Sequence, residues 1–460
     1  MDNIVAPIAA LRLRLTEAAY RAITGMLPAE DRSPVFLVGL CGSTRIRGVR
    51  GDEVVACVHT LFNRVERISL AASEELVEWI LSHRGKQMMW PILFHHRQNG
   101  EDELAGLCQR LSALGLGPII DIEVSQDGSM SGRFSLEGEQ YPVDTILIPG
   151  SDIRFWTLDS EPTESPDNEQ TKRFDQSFGK KTQRIMSRLK IGVVGVSGTG
   201  SPVAEMLYRL GVGELVLVDD DRVEIKNLGR IYNSSMRDAQ EGRYKVDVVG
   251  DVFVANGLPT QVRKIAATIF DPVVVRELAQ CDVIFGCMDS ESGRALLNRL
   301  CTFYLVPYFD LGVNLKADGL GSVSVICGAV HYLKPDGSSL LSRRAISPAN
   351  IEAEDLKRTN PELYKQQKEE KYIKGVVEER PAVITVNTLV ASLATNDLLA
   401  RIHPYRHNPN SSIGCIRIDL REPEIHLEDD GERDQELNRW AGFGDMKPLL
   451  RRIALAQVDV

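Results

Sequence analysis

The chain is 460 residues long, with 64 acidic and 54 basic side chains and a formal net charge of −10. That acidic balance argues against broad nucleic-acid binding, which wants a basic face, and no run of about 18 apolar residues exists to cross a bilayer. Apolar content of 43% and charged content of 26% suit a globular chain, neither disordered nor fibrous.

The length predicts two or three compact domains. Met1, Asp2 and Asn3 offer neither the basic head nor the apolar core of a secretory signal, so a cytoplasmic protein is expected. The cysteines are Cys41, Cys57, Cys108, Cys281, Cys287, Cys301, Cys327 and Cys415. None forms a Cys-x-x-Cys pair, so neither a zinc knuckle nor a disulfide framework is supported.

In chain order, 15–26 reads as a helix, 34–39 and 53–58 as strands, and 73–81 has helical spacing. Residues 89–94 read as a strand running into His95-His96-Arg97-Gln98. This smaller, mixed α/β domain is expected over 1–157. The most polar interval, LDSEPTESPDNEQTKRFDQ, holds two prolines and almost no apolar anchors. It predicts a linker over 158–176, with a second domain over 177–460.

The second domain opens on the Gly-bounded apolar run 190–195, a buried parallel strand. A helix at 202–210 follows, then a strand at 214–218, a helix at 245–256 and a strand at 261–265. Residues 283–287 predict another strand and 292–300 another helix. Strands alternating with helices mean an α/β domain with a doubly wound, Rossmann-like parallel sheet. The interval 334–380 is charged and poor in apolar anchors, and reads equally as a functional mobile segment or as an exposed helix. Pro381 opens AVITVNTLVASLATNDLLARI, a buried helix, and 415–420 alternates like an edge strand.

The glycine turn after the first strand is Gly195-Val196-Ser197-Gly198-Thr199-Gly200. Such a turn brings backbone N–H groups and a helix N-terminus against a phosphate. Read as G-x-G-x-x-G, its middle glycine is replaced by Ser197, which weakens a nicotinamide or flavin reading. Asp219 lies about 20 residues further on, where an acid is placed to accept from a ribose.

The run from Asp219 through Asp221, Val223, Asn227 and Leu228 to Arg230 follows the pattern D-x-D-x-V-x-x-x-N-L-x-R. It resembles the ubiquitin-activating-enzyme-like adenylyltransferase family, which includes the ThiF- and MoeB-type proteins. Gly242-Arg243-Tyr244-Lys245-Val246, Gly286-Cys287-Met288-Asp289-Ser290, Arg294 and Asn298 match further family segments in order. Upstream, Arg173-Phe174 through Phe178-Gly179 to Gln183 resembles the family's entry segment. The likeness covers about 170–330 firmly and 380–400 loosely.

The resemblance implies ATP and Mg2+ as cofactors. Asp219 would hold the ribose, Gly195, Gly198 and Gly200 would form the phosphate turn, and Asp289 would bind magnesium. Asp221 belongs to the same nucleotide site. Asn227, Arg230 and Lys245 would contact phosphate oxygens, and Arg173 would reach in from a partner subunit, implying a homodimer. Arg173, Arg230, Lys245 and Asp289 are therefore the expected catalytic set. The implied reaction is adenylation of the C-terminal carboxylate of a ubiquitin-like or sulfur-carrier-like protein, forming acyl-AMP and pyrophosphate.

This chain departs from many relatives in three places. Serines at 338, 339 and 342 stand where zinc-binding cysteines would sit, so zinc is not expected. The interval 328–414 holds no cysteine for a thioester, leaving Cys327 and Cys415 as the candidates, each expected to be inert and buried. Ile231-Tyr232 replaces a dipeptide that often starts with glutamine. Thioester transfer to an E2-like, ubiquitin-conjugating-type partner stays open. The alternatives are adenylation of a small peptide in antibiotic biosynthesis and a pseudoenzyme scaffold that heterodimerises with an active partner. The N-terminal domain faintly resembles an inactive JAB/MPN-type domain, since His95 and His96 are adjacent and point to opposite faces of a strand.

Overall fold

The computed structural model describes residues 8–26, 36–47, 52–58, 66–68, 78, 89–96, 119–136, 139–157, 171–370, 383–452 and 455. The chain divides into two compact units. The first comprises Met1–Pro166 with Thr302–Leu305 and Arg439–Arg451, and the second Asp167–Cys301, Val306–Asn438 and Arg452–Val460.

The first unit is built on a mixed sheet. Its strands are β1 (Ile8–Leu15), β2 (Phe36–Arg47), β3 (Asp52–Val58), β4 (Glu66–Ile68), β5 (Met89–His96), β6 (Ile119–Val124), β7 (Met130–Leu136), β8 (Glu139–Pro142), β9 (Thr145–Pro149) and β10 (Ile153–Thr157), with one described helix, α1 (Glu17–Met26). They lie in the order β10-β9-β1-β3-β2-β5-β6-β7-β8, and β4 pairs with β2. In β1, Leu11, Leu13 and Leu15 alternate with Arg12 and Arg14, and the leucines join Ile92, Phe94 and Ile122 in the core. Tyr20 and Ile23 of α1 pack into that core.

The helix expected from 15 begins two residues later. Leu15 completes β1, and Thr16 accepts a bond from Ala19 N at 3.2 Å through its hydroxyl, which starts the helix. The strand expected at 34–39 is the longer β2, and the helical spacing at 73–81 falls almost wholly outside the described residues.

The second unit opens with α2 (Lys172–Met186), so 172–176, assigned to a linker by composition, is helical. Gly179 breaks α2 with φ of 80°, a left-handed value glycine adopts at little steric cost. Next come β11 (Lys190–Val194), α3 (Gly200–Arg209), β12 (Glu214–Val218), α4 (Met236–Glu241), α5 (Lys245–Asn256), β13 (Gln261–Ile265), α6 (Pro272–Ala279), β14 (Val283–Gly286), α7 (Glu291–Phe303), β15 (Tyr308–Ala317) and β16 (Val323–Leu333). The chain ends with α8 (Pro348–Thr359), α9 (Pro361–Glu369), α10 (Ile384–Ile402), β17 (Cys415–Asp419), β18 (Glu424–Glu428) and α11 (Gln435–Asn438).

The sheet order is β13-β12-β11-β14-β15-β16-β17-β18. Its first five strands are parallel and its last three join antiparallel. This is the expected doubly wound, Rossmann-like α/β sheet with an antiparallel extension. The strand at 415–420 is not an edge: β18 pairs outside β17 and takes that place. Every residue of β18 is exposed, so its weak apolar signal is what an edge strand presents. The charged interval after β16 carries the helices α8 and α9, which bury Ile351, Ala353 and Tyr364; 371–382 lies outside the described residues.

Candidate active site

Strand order reverses between β11 and β14, and in open α/β sheets ligands bind in the crevice beyond the carboxyl ends at that point. The glycine turn follows β11, and the segment carrying Asp289 follows β14. The two are joined: Cys287 N donates to Val194 O at 2.8 Å. The glycines are there for space. A Cβ on Gly195, whose φ is 88°, would sit 2.8 Å from Cys287 O, and one on Gly200 would sit 1.8 Å from Gly195 O. A Cβ on Gly198 would meet Asn387 Nδ2 at 2.4 Å and Arg230 Cδ at 3.2 Å.

Asp219, at the end of β12, ties the turn to the sheet. One carboxylate oxygen accepts from Val196 N at 2.7 Å and the other from Asp221 N at 2.9 Å. Burial raises its carboxyl above the ordinary value, against the opposing pull of Lys245 and of these N–H groups. Lys245, the first residue of α5, is buried and lies 2.6 Å from Asp221 Oδ2 and 3.6 Å from Asp219 Oδ1. Asp219, Asp220 and Asp221 form the one group of acidic, His or Cys side chains among the described residues that converges on a possible cation position.

Asn227 is buried, and its Oδ1 accepts from Glu224 N at 3.1 Å, which fixes the side chain within a capping box. Arg230 follows in the same turn, its N–H donating to Asn227 O at 3.0 Å. Its Nε is buried and has no hydrogen-bond partner. Such orphans are rare in folded proteins, where buried polar groups are nearly always satisfied. Asp289 is exposed ahead of α7, and its carboxylate makes no hydrogen bond or ion pair among the described residues. Gly195, Gly198 and Gly200 thus follow β11, Asp219, Asp221, Asn227 and Arg230 follow β12, and Lys245 and Asn387 stand at the starts of α5 and α10, with Asp289 on the β14 side. Arg173 is exposed on α2, and no hydrogen bond or ion pair joins its guanidinium to the turn among the described residues.

A buried polar network stands behind the Asp289 segment. Arg294 of α7 donates from Nε to Asp310 Oδ1 at 2.9 Å and from Nη2 to Oδ2 at 2.6 Å, and Tyr308 OH donates to Oδ1 at 2.8 Å. Burial pushes the Asp310 carboxyl up, but Arg294, His331 and Tyr308 together outweigh it and hold the group below its ordinary value. Asn298 Oδ1 accepts from Leu340 N at 2.9 Å, pinning the segment after β16. Just before Leu340, Ser338 donates to Asp430 at 3.0 Å and Ser339 to Asp434 at 2.5 Å. The two thiol candidates lack activation, although only Cys415 is buried as expected and Cys327 is half-buried, because β16 is exposed over its first half. Burial pushes Cys415 up to about 12, and burial followed by the charge of Asp419 raises Cys327.

Asn387 and Thr388 were not anticipated from sequence. Tyr232 OH lies 2.9 Å from Thr388 Oγ1, so the Ile231-Tyr232 departure has a partner on α10. The only local signal was the polar pair within the otherwise apolar start of that helix.

Residues 170–429 match the ThiF family. The chain belongs to the ThiF family. Within it, this chain is similar to ubiquitin-like modifier-activating enzyme 5 of Caenorhabditis briggsae, 29% identical over 181 residues, which cover 36% of this chain and 39% of that protein. The Caenorhabditis elegans counterpart is 30% identical over 156 residues, 32% of this chain and 35% of that protein. The matched span is less than half the length of either relative. Among solved structures, the microcin C7 biosynthetic enzyme MccB in complex with N-formylated MccA is similar with a TM-score of 0.46 and 21% identity, covering 60% of this chain and 76% of that one. The crystal structure of E. coli MccB with ATP gives 0.44 at 16% identity, covering 87% and 98%. Among the described residues, no helix is long and apolar enough to cross a membrane.

Proposed function

We propose that this ThiF-family protein is an ATP-dependent adenylyltransferase that activates the C-terminal carboxylate of a ubiquitin-like or sulfur-carrier-like protein. The observation that carries the reading is Arg230, a half-buried cation whose buried Nε has no partner, beside a glycine turn that leaves no room for a Cβ. A phosphate is the ligand such a place accommodates. The similarity to ubiquitin-like modifier-activating enzymes favours a protein acceptor over a short peptide.

In the reaction, a carboxylate oxygen of the acceptor forms a bond to the α-phosphorus of ATP. The bond from that phosphorus to the bridging oxygen breaks, and its electron pair leaves on pyrophosphate. This chain's part is to hold the triphosphate in line and to neutralise the departing charge. Arg230 supplies an unspent cation beside Gly198. Lys245 supplies another, released from Asp221, whose side chain is 70% exposed and rehydrates readily. Asp219 keeps the turn in place while its remaining lone pairs face the ribose. Asp289, exposed and unpaired, suits magnesium, which takes one or two carboxylates together with phosphate oxygens; when bound there it would offset charge on the pyrophosphate. Arg173 completes the site from a second copy of the chain, in a homodimer. The reaction ends at the acyl-adenylate, because neither Cys327 nor Cys415 is poised as a thiolate.

The test is ATP–pyrophosphate exchange with candidate small proteins ending in Gly-Gly, run with Mg2+. Acceptor-dependent exchange is expected, falling at least a hundredfold in Asp289→Ala. Undiminished exchange in that variant sinks the magnesium assignment. A protein that binds no ATP by calorimetry is a scaffold instead. A reductant-sensitive adduct lost in Cys327→Ala or Cys415→Ala overturns the adenylate end point.

A further inference from the structure

The structure assigns Asn387 to the nucleotide site: we propose that its side-chain amide donates a hydrogen bond to a non-bridging oxygen of the α-phosphate, in ATP and in the acyl-adenylate. The proposal rests on the adenylation reading above and adds a residue to it.

Asn387 sits in the first turn of α10, a helix that buries Val386, Val390, Ala391 and Ala394 in the second unit. An asparagine in such company needs a reason, because a buried amide costs stability unless it is hydrogen-bonded. It is only 2% exposed, and its amide makes no hydrogen bond to any described residue. The amide is aimed at the glycine turn, with Nδ2 2.4 Å from where a Cβ on Gly198 would stand.

A second, independent observation points to a ligand at the same place. Arg230 comes to the same point, its Cδ 3.2 Å from that Cβ position, and its buried Nε has no partner. Two open donors, the Asn387 amide and Arg230 Nε, therefore stand at one glycine. Their common acceptor is an anion with several oxygens.

The identity of the phosphate follows from the turn itself. Asp219, the ribose acid in this reading, accepts from Val196 N, two residues before Gly198. The phosphate nearest the ribose is then the one against Gly198. A neutral amide also suits the α-phosphate, which stays in the product, whereas Lys245 and the terminal nitrogens of Arg230 suit the pyrophosphate that departs with added charge.

Calorimetry of the full-length protein with MgATP, AMP and adenosine tests this. Asn387→Asp keeps the size of the side chain but turns a donor into an anion facing the phosphate. It is expected to weaken ATP and AMP at least a hundredfold and to leave adenosine binding within about twofold, with a lowered thermal midpoint, since an unpaired carboxylate is costly to bury. Asn387→Ala is expected to weaken ATP and AMP about tenfold, and it carries the test if the aspartate variant does not fold. ATP and AMP affinities within twofold of wild type in a folded variant overturn the proposal, as does an equal loss for all three ligands. Wild-type protein that binds no ATP instead overturns the adenylation reading, which separates the two failures.

Discussion

Two glycines of one turn differ in what crowds them. At Gly200 an added methyl group would stand 1.8 Å from a backbone oxygen, whereas at Gly198 its nearest neighbour is the end of the Asn387 side chain. Backbone at that distance has to move, and a side chain can turn away. Gly200→Ala is therefore expected to open the turn, with a thermal midpoint lowered by several degrees, since overpacking costs about 1–3 kcal/mol or more. Gly198→Ala is expected to fold but to bind ATP at least tenfold more weakly, because the methyl takes the place proposed for phosphate. Equal ATP affinity in Gly198→Ala, measured by calorimetry, would place the phosphate elsewhere. The spacing of these glycines was legible in the sequence, and so was Asp219. The crowding at Gly198 was not, because Asn387 arrives from a helix far along the chain.

Among the elements, α7, β15 and β16 share the buried cluster of Arg294, Asp310, Tyr308 and His331. Removing one partner of a buried ion pair leaves the other charge stranded, so Arg294→Ala is expected to cost about 3–5 kcal/mol of stability in chemical denaturation. His331 faces Asp310 across the β15–β16 ladder, and its Nδ1 is buried without a partner. Burial pulls the imidazole down from 6.5 to about 4, helped by Arg343, Arg417 and Arg294 and opposed by Asp310. The unfolded chain then binds more protons than the folded one between those values. Stability is full above the unfolded value and falls as pH drops from 6.5 toward 4, by about 3 kcal/mol at most from this group. His331→Leu is expected to flatten the pH dependence of the thermal midpoint in that window; an unaltered slope would assign it to other groups. Sequence periodicity found β12, α5 and β13 to the residue, since each is a short run with its own apolar rhythm. It mistook β17 for the edge because alternation reports one buried face and says nothing of a further strand alongside.

On the scale of the whole molecule, the two units are not consecutive stretches of chain. Thr302–Leu305 and Arg439–Arg451 belong to the first unit although the second surrounds them in sequence. Phe303, Tyr304 and Leu305 are fully buried, and Tyr304 O accepts from Arg14 Nη1 at 2.8 Å. A fragment starting at Asp167 loses that donor and the rest of the first unit around these side chains. It is expected to show lower soluble yield and an earlier thermal transition than the full chain; a transition matching the full chain would show the second unit to be self-sufficient. The sequence by itself determined the parallel α/β half, the glycine turn and the order of the ThiF motifs, because each is written in neighbouring residues and short periodicities. Only the tertiary structure decided that Asn387 meets Gly198, that β18 rather than β17 forms the edge, and that 302–305 joins the first unit. Those are contacts between distant stretches of chain, and burial across such distances leaves no local pattern to read.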